Sequence, residues 1–546
     1  MNTRARRTAF VLLAGLCVIA GLAGTATAAN RADPGAARVP YATIEGTGST
    51  WSELIVQKWI ADVDANGMSV VYTGGGSTKG RKDFAQNSVD FAISEIPYQG
   101  VDENGNADTS NGRDFAYLPI VAGGTAFSYQ LKIGNEQVRN LRLSGETLAK
   151  IFTNKITNWN DPQITEDNNG REFPDLAITP VVRADGSGTT AQLTTWMDKE
   201  YPSIWRPYFG QSGLTSYYPV KDGTRMTSQA GSDQVMNTIK SSAGNGYIGY
   251  VEYAYPVNAD YPVVKVLNKA GYFVEPTQWN TAVALTRAQI NQNKGSQDYL
   301  TQILDGVYRH PDPRAYPISS YSYMLIPTGA DDQRMTTSKR QTLADFIYYS
   351  LCSGQTAAGP YGYSPLPLNL VQAGFQQVAK LKQADNGVDL TDRDVRSCNN
   401  PTFDGKNPNR NLLAEQAPMP PECDKIGQGP CGTDTGNNDP GGEGEDPDGS
   451  GPAGPDDGGT GPDDGTGGTE IDPETGEPIA PGDSGTTGEA AYATSTLVED
   501  RPGDSRTFGW LAVAELAALV LVPGLFVSFV RRRRSASGAA PGQGGR

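Results

Sequence analysis

The sequence predicts an α/β protein, because short apolar runs of strand length alternate with segments of helical periodicity. Three runs are typical of strands buried on both faces: "MSVVYT" (68–73), "VDFAIS" (89–94) and "ITPVV" (178–182). Apolar positions recur at helical spacing in two further segments: Trp51, Ile55, Trp59 and Val63 in the first, and Leu193, Trp196 and Met197 in the second. The alternation runs from residue 41 to about residue 395 and indicates a sheet covered by helices.

Residues 1–29 have the pattern of a secretory signal peptide. Three arginines come first, an apolar stretch follows over 9–24, and small residues end the segment around 26–28. Cys17 lies within the apolar stretch, directly after Leu16, which fits a lipoprotein cleavage site poorly. We therefore expect export with ordinary cleavage and no lipid anchor.

The opposite end of the chain predicts a membrane anchor. Residues 509–530 contain one charged residue, Glu515, and four consecutive arginines follow at once. The 22 residues of this stretch are long enough to span a hydrocarbon core of about 30 Å, and the arginines predict that the basic tail 531–546 is cytoplasmic. The alternative is an amphipathic C-terminal helix.

An acidic segment precedes this anchor. Residues 432–500 contain 18 Asp and Glu and no Lys or Arg, in a background rich in Gly, Pro, Thr and Ser. Such a composition cannot bury enough apolar surface to fold, so residues 432–508 are predicted to form a disordered tether. Of the formal charge of −16, this segment supplies −18 and the two chain ends +3 and +5, which leaves −6 for residues 30–431. A mildly acidic domain has no electrostatic footprint for nucleic acid, so any anion that it binds must be held by local geometry.

Four cysteines follow the signal peptide: Cys352, Cys398, Cys423 and Cys431. In an exported protein an even number predicts two disulfides, with three possible pairings. We favour Cys352 with Cys398 and Cys423 with Cys431, because the second pair closes a short loop. Three of these cysteines lie in a Cys-containing extension at 396–431, which the first bond would join to Cys352. The spacing contains no CxxC pair and does not indicate a zinc site.

The sequence has one histidine, His310, between Arg309 and Pro311. A single histidine excludes multi-histidine metal sites, and a Ser-His-Asp triad could use only this residue. We interpret His310 as a loop residue and expect no metal site.

Three loops share one design. They are "GTGST" (46–50), "TGGGSTKG" (73–80) and "RADGSGTT" (183–190), and each precedes a predicted helix. Each combines glycines, which let the backbone approach a ligand closely, with Ser or Thr at the expected N-cap and amides at the positive end of the helix dipole. For any one loop the alternative is a capped helix after a tight turn. Three such loops in one chain favour an anion-binding site.

None of these loops matches a catalytic motif. In "GGGSTKG" Lys79 is followed by Gly rather than Ser or Thr, so the Walker pattern fails, and "GTGSTW" lacks the third glycine of a dinucleotide-binding loop. Ser187 has adjacent glycines, in "DGSGT", which does not fit the G-x-S-x-G nucleophile elbow. We therefore expect binding without catalysis or a cofactor, rather than a phosphoryl-transfer enzyme or a serine hydrolase.

Seven segments carry a resemblance to a known family: "GTGSTW", "YTGGGSTKG", "SVDFAISEIP", "LSGETLAKIFTNKITNWNDP", "VVRADGSGTT", "GNGYIGYVEYAYP" and, more loosely, "YPISSYSYMLIP". On these segments, residues 41 to about 395 resemble the periplasmic phosphate-binding protein of bacterial phosphate ABC importers. The resemblance implies a class II periplasmic-binding-protein fold of two α/β lobes joined by crossing strands. Lobe one would comprise residues 41–122 and 258–395, and lobe two residues 123–257.

The resemblance also implies a phosphate site made of neutral donors, one arginine and one carboxylate. The matching positions are Thr50, Trp51 (through its amide), Ser77, Glu95, Arg183, Ser187, Gly188 and Thr189. Asp185 would either pair with the Arg183 guanidinium or serve as a turn residue. An ionised carboxylate only accepts hydrogen bonds, so it favours phosphate, which carries a proton, over fully ionised sulfate.

Glu95 is a departure from the family, which has Asp at this position. The extra methylene, about 1.5 Å, could be absorbed by the backbone or could weaken phosphate binding. Lys79 stands where the family has a small residue, and either adds positive charge at the rim of the site or faces solvent.

The resemblance implies a monomeric extracellular binding protein that captures inorganic phosphate and delivers it to an ABC permease. The predicted C-terminal helix would tether it to the outer face of the plasma membrane. The alternative is a surface or sensory protein of the same fold whose oxyanion specificity has changed or been lost.

Overall fold

The computed structural model describes residues 39–431 except 103–104, 297, 394, 396–397, 404 and 408–409. The predicted signal peptide (1–29), tether (432–508), membrane helix (509–530) and basic tail (531–546) therefore lie outside the described residues. Within the described part, no helix is both long enough and apolar enough to cross a membrane.

The strands of the described residues are β1 (Ile44–Gly48), β2 (Val70–Gly74), β3 (Phe91–Ser94), β4 (Gly100–Val101), β5 (Ala107–Asp108), β6 (Phe115–Tyr129), β7 (Lys132–Ile133), β8 (Glu136–Gln137), β9 (Arg142–Leu143), β10 (Thr179–Arg183), β11 (Thr227–Gln229), β12 (Tyr247–Glu252), β13 (Lys265–Leu267), β14 (Phe273–Val274), β15 (Gln289–Ile290), β16 (Gln302–Ile303) and β17 (Ser319–Pro327).

The helices are α1 (Glu53–Asp64), α2 (Ser77–Ala85), α3 (Gly145–Phe152), α4 (Pro162–Asp167), α5 (Gly188–Glu200), α6 (Pro202–Phe209), α7 (Gly231–Ile239), α8 (Ala254–Asn258), α9 (Gln278–Leu285), α10 (Asp305–Tyr308), α11 (Thr337–Leu351), α12 (Leu368–Ala384) and α13 (Leu412–Gln416).

The main sheet has eight strands in the order β11-β10-β12-β6-β17-β3-β1-β2. Strands β2, β1 and β3 are parallel at one end, and β11, β10 and β12 are parallel at the other. Helices cover the sheet, and every residue of β3, β10 and β17 is buried. The α/β class predicted from the apolar runs is therefore confirmed.

Strand β6 joins the two halves of the sheet. Its residues 115–124 pair with β17, and its residues 125–129 pair with β12, in both cases antiparallel. The changeover falls at Gly123 and Gly124. A Cβ at Gly123 would lie 2.7 Å from the Trp51 ring and from Glu252 Oε1, so these neighbours pack directly on the backbone of β6.

The core positions of the predicted helices are confirmed. Ile55, Trp59 and Val63 form the buried face of α1, whereas Trp51 precedes this helix. Leu193, Trp196 and Met197 are buried in α5. Each predicted apolar run overlaps a strand that begins one or two residues later than the run, and β2 and β10 also end one residue later.

The part of the chain that belongs to the second half of the molecule extends beyond residue 258. Strand β13 pairs in parallel with β9, which lies within 123–257, and β14 pairs with β13. We propose to keep the predicted lobes but to assign residues up to about 274 to lobe two, because these strand pairs hold them there.

Both favoured disulfides are present. Cys352 and Cys398 have Cα atoms 4.8 Å apart, and Cys423 and Cys431 have Cα atoms 5.1 Å apart. The first bond joins the extension to the end of α11. The second closes the short loop predicted from the spacing.

The loop closed by the second disulfide packs against the β9–β13 pair. Arg142 Nη1 donates to the carbonyl oxygens of Cys423 (3.0 Å) and Gln428 (2.8 Å). Lys265 Nζ lies 2.7 Å from Asp424 Oδ2, which is almost fully buried. The extension therefore contacts both α11 in the first half of the molecule and β9 and β13 in the second.

His310 lies in the loop after α10, as predicted. Its Nδ1 accepts the Asp312 amide hydrogen at 3.1 Å, and its Nε2 lies 3.1 Å from the Thr286 hydroxyl. Burial lowers the pKa of this imidazole below its ordinary value, which favours the neutral ring.

Candidate anion-binding site

The three glycine-rich loops lie together. The first two follow the adjacent parallel strands β1 and β2, and the amides of Gly75 and Gly76 both donate to the Gly48 carbonyl at 2.9 Å. The Thr78 amide donates to the Gly186 carbonyl at 3.0 Å, which joins the second loop to the third. The loops before α1, α2 and α5 therefore meet, although they come from both halves of the sheet.

The loop before α5 has the capped helix N-terminus that the sequence predicts. Ser187 is the N-cap, and its Oγ accepts the Thr190 amide hydrogen at 3.2 Å. Thr189 is 1% exposed, and its hydroxyl has no hydrogen-bond partner among the described residues. Because the first amides of a helix have no intrahelical acceptor, this end of α5 presents donors to any anion placed there.

The first two loops are capped differently from the prediction. Ser49 Oγ accepts the amide hydrogens of Trp51 (2.9 Å) and Ser52 (3.3 Å), and no side chain caps α1 directly. Gly76 occupies the N-cap of α2. The Trp51 amide, expected to contact the ligand, therefore already donates within its own loop.

Arg183 lies at the end of β10 with its side chain almost fully buried. Its Nε donates to Asp185 Oδ1 at 2.7 Å, its Nη2 donates to Asp185 Oδ2, and its Nη1 donates to Ser232 Oγ at 3.2 Å. The expected pairing of Asp185 with this guanidinium is confirmed. Three of the five guanidinium hydrogens are used in these bonds, which leaves one on each terminal nitrogen for a further acceptor.

Glu95 follows β3 and is 1% exposed. Its Oε2 accepts from Ser77 Oγ at 2.5 Å, and its Oε1 accepts from Ser322 Oγ at 2.7 Å. A Cβ at Gly188 would lie 2.0 Å from Glu95 Oε2 and 2.4 Å from Ser77 Oγ. Three predicted site residues from different loops are thus in direct contact, and only glycine fits at the start of α5.

Two residues of the site were missed by sequence reasoning. Ser232 Oγ lies 3.1 Å from Thr50 Oγ1 and also contacts Arg183, so it connects two predicted site residues. The signal was present, because "AGSD" (230–233) places Gly and Ser at the start of α7, as Gly188 and Thr189 stand at the start of α5. Ser322 lies in the middle of β17, where a serine has no capping pattern to mark it.

Two other carboxyl groups lie near these loops. Burial raises the pKa of the Glu252 carboxyl well above its ordinary value, although two backbone amides, including that of Ala254 at 2.5 Å, counteract the rise. Burial also raises the pKa of Glu53, against a hydrogen bond from the Gly74 amide at 3.0 Å. A raised pKa limits the negative charge that these groups place near an anion.

Lys79 does not reach the site. Its ammonium pairs with Asp83 one helical turn further along α2, and its side chain is 51% exposed. Of the two alternatives for this residue, the structure supports the one that faces solvent.

Comparison with known proteins defines the class of this fold. Residues 24–353 match the model of the PBP superfamily domain, where PBP stands for periplasmic binding protein. The chain therefore belongs to the periplasmic-binding-protein superfamily, which has the two-lobed α/β fold, and it is PstS-like within that superfamily.

The chain is similar to several individual proteins over part of its length. The phosphate-binding protein PstS of Pasteurella multocida is 30% identical over 331 residues, which are 60% of this chain and 88% of the relative. The phosphate-binding protein PstS of Methanocaldococcus jannaschii is 29% identical over 385 residues, 68% of this chain and 95% of the relative. A solved phosphate-binding protein from Stenotrophomonas maltophilia aligns with a TM-score of 0.46 and 17% identity, over 64% of this chain and 99% of that one.

Proposed function

We propose that this protein is an extracellular solute-binding protein that captures inorganic phosphate between its two lobes and delivers it to an ABC permease. One observation carries the proposal: the buried Glu95 carboxylate lies against Gly188 at the start of α5, and the buried Arg183 guanidinium belongs to the loop that opens this helix. The names of the PstS relatives support phosphate as the ligand. No catalytic step is proposed for the site.

Each group in the site has a distinct chemical task. The two remaining hydrogens of Arg183 would bind two phosphate oxygens in a bidentate contact, and the start of α5 would supply amides and the Thr189 hydroxyl. Glu95 would accept a hydrogen bond from the ligand's hydroxyl through Oε2, which faces Ser77 and Gly188. The proposed ligand set is that of the sequence prediction: Thr50, Trp51, Ser77, Glu95, Arg183, Ser187, Gly188 and Thr189. The Trp51 amide would have to share its hydrogen between Ser49 and the ligand.

Titration calorimetry of the full-length protein in detergent, freed of bound ligand, tests this proposal. We expect heat of binding with phosphate and none with sulfate at pH 7, because sulfate has no hydroxyl that could donate a hydrogen bond to the Glu95 carboxylate. Absence of binding with phosphate would reject the proposal. Phosphatase activity that disappears in Ser187→Ala would show that the site is catalytic.

Arg183→Ala should weaken phosphate binding at least on the order of a hundredfold, because the variant loses two charge-assisted hydrogen bonds in a buried site. Arg206→Ala is the matched control, since Arg206 is an exposed arginine of the same half that pairs with Asp198. Unchanged affinity in Arg183→Ala would place the ligand elsewhere.

The second candidate is a surface or sensory protein with altered oxyanion specificity. It is favoured by Glu95, whose two oxygens already accept serine hydroxyls. No response to phosphate or sulfate in the native protein, with phosphate binding restored in Glu95→Asp, would establish this alternative.

The anchoring of the protein is part of the same proposal. We propose a tether at 432–508, a membrane helix at 509–530 and a cytoplasmic tail at 531–546, so that a monomeric binding domain stays at the outer face of the plasma membrane. The acidic composition and the arginine run support it. Recovery of the protein in washed membranes, and its release on truncation after residue 508, would test it.

A further inference from the structure

We propose that Ser322 positions the Glu95 carboxylate and thereby sets the discrimination between phosphate and sulfate. This inference rests on the proposed function, and it explains how the site accommodates a glutamate in place of aspartate.

Ser322 reaches the carboxylate from a strand that supplies none of the predicted ligand contacts. Strand β17 lies beside β3, and Tyr323 is in register with Ser94, the residue before Glu95. The register of β17 with β6 shifts between Ser322 and Tyr323, because β6 has one extra residue there, Ile120. The Ser322 side chain is fully buried.

The two oxygens of Glu95 have separate surroundings. Oε2 lies against Ser77 and Gly188, which belong to the proposed ligand set. Oε1 accepts from Ser322 at 2.7 Å. One oxygen therefore faces the ligand, and the other is held from behind by β17.

A glutamate needs this support more than an aspartate does. Its backbone is already fixed, because the Glu95 carbonyl accepts from Gln192 Nε2 at 2.8 Å and from Gln302 Nε2 at 3.3 Å. The remaining freedom is in the side chain, which has one more torsion than aspartate. Ser322 restricts that torsion and fixes the plane of the carboxylate.

The same hydrogen bond orients the acceptor that discriminates between the two anions. A carboxylate oxygen held in place can accept a hydrogen bond from the hydroxyl of phosphate, whereas sulfate has no hydroxyl to donate. Without Ser322 the carboxylate is free to rotate away from the ligand. The removal of Ser322 should therefore weaken phosphate binding and reduce the preference for phosphate over sulfate.

The test is a double-mutant cycle measured by calorimetry on the full-length protein, with phosphate and sulfate at pH 7. Ser322→Ala should lower phosphate affinity by about ten- to a hundredfold, in line with the loss of a hydrogen bond to a charged group. It should also lower the ratio of phosphate affinity to sulfate affinity. Ser322→Thr, which retains the hydroxyl, should stay within about threefold of the native affinity.

Two controls separate this role from a general effect on the fold. Ser320→Ala removes another buried hydroxyl of β17, one with no partner among the described residues, and should leave phosphate affinity unchanged. In a Glu95→Asp background, Ser322→Ala should have less than about a threefold effect, because the carboxylate ends about 1.5 Å short of Ser322.

The outcomes are distinguishable. If the native protein binds phosphate but Ser322→Ala leaves both affinity and selectivity unchanged, this inference is wrong and the proposed function stands. Equal losses in the Glu95 and Glu95→Asp backgrounds, or in Ser320→Ala, would likewise overturn it. No phosphate binding by the native protein would overturn the proposed function and this inference together.

Discussion

Gly188 is the residue at which the site has no room for a side chain. Gly188→Ala would place a Cβ within 2.0 Å of Glu95 Oε2 and 2.4 Å of Ser77 Oγ. Overpacking of this kind costs about 1–3 kcal/mol, so we expect phosphate affinity to fall by about five- to 150-fold. Calorimetry measures the phosphate affinity of each variant. Gly295→Ala is the control, because the nearest atom to a Cβ there is 3.5 Å away. Equal phosphate affinity in the two variants would contradict the close contact of Gly188 with Glu95 and Ser77.

At the residue scale, the sequence could predict the parts of the site that carry a local pattern. Arg183, Ser187 and Gly188 belong to a loop that opens a helix, and Ser187 caps that helix as expected. Ser322 could not be predicted, because its role depends on which strand lies beside β3. That neighbour comes from more than 200 residues further along the chain, as the separation of 227 between Ser322 and Glu95 shows.

At the element scale, the two disulfides should differ in their contribution to stability. They link residues 46 and 8 positions apart, and the loop-closure model assigns about 4 kcal/mol to the longer loop and about 2.6 kcal/mol to the shorter. Urea unfolding of Cys352→Ala/Cys398→Ala should therefore show the larger loss in the free energy of unfolding, compared with Cys423→Ala/Cys431→Ala. Equal losses would mean that native packing of the extension, rather than chain entropy, decides the difference.

The elements themselves were predicted unequally. The apolar runs predicted β2, β3 and β10, and each strand was found. The prediction that all three are buried on both faces was wrong for β2, which lies at the edge of the sheet with Val71 50% exposed. Strand β6 was not predicted, because Pro119 and the Gly123–Gly124 pair interrupt its pattern. Its length results from tertiary pairing with two different partners, β17 and β12, which no local pattern encodes.

At the scale of the whole molecule, the two halves are joined by hydrogen bonds across the site. Gln192 Nε2 in α5 donates to the Glu95 carbonyl at 2.8 Å, and Thr50 and Ser232 hydroxyls are 3.1 Å apart. One buried hydrogen bond contributes about 0.5–1.5 kcal/mol, so Gln192→Ala should weaken phosphate binding by about two- to tenfold by destabilising the closed arrangement.

Distances between spin labels at the exposed positions Asp64 in α1 and Lys240 after α7 would report this closure. We expect Gln192→Ala to broaden the distance distribution without phosphate, and saturating phosphate to restore the short distance. Gln234→Ala, which removes an exposed glutamine of α7, is the control. Identical distributions for Gln192→Ala and the native protein would show that this bond does not hold the halves together.

The boundary between the halves depends on strand pairing that the resemblance does not specify. The boundary at residue 258 stays a prediction, and the pairing of β13 with β9 and β14 supports our proposal to move it to about residue 274 on the β9 side of the molecule. The extension that packs there, through Arg142 and Lys265, has no counterpart in the motifs that carry the resemblance.

The continuity of β6 has a mechanical consequence. A hinge made of a slack loop would let the lobes swing at almost no elastic cost, whereas β6 is hydrogen bonded to one half or the other along its whole length. Opening must therefore change the twist of a paired strand around Gly123 and Gly124, where the Trp51 ring packs directly on the backbone. We expect β6 to resist this change of twist elastically. The strand should therefore favour the arrangement in which the loops before α1, α2 and α5 meet.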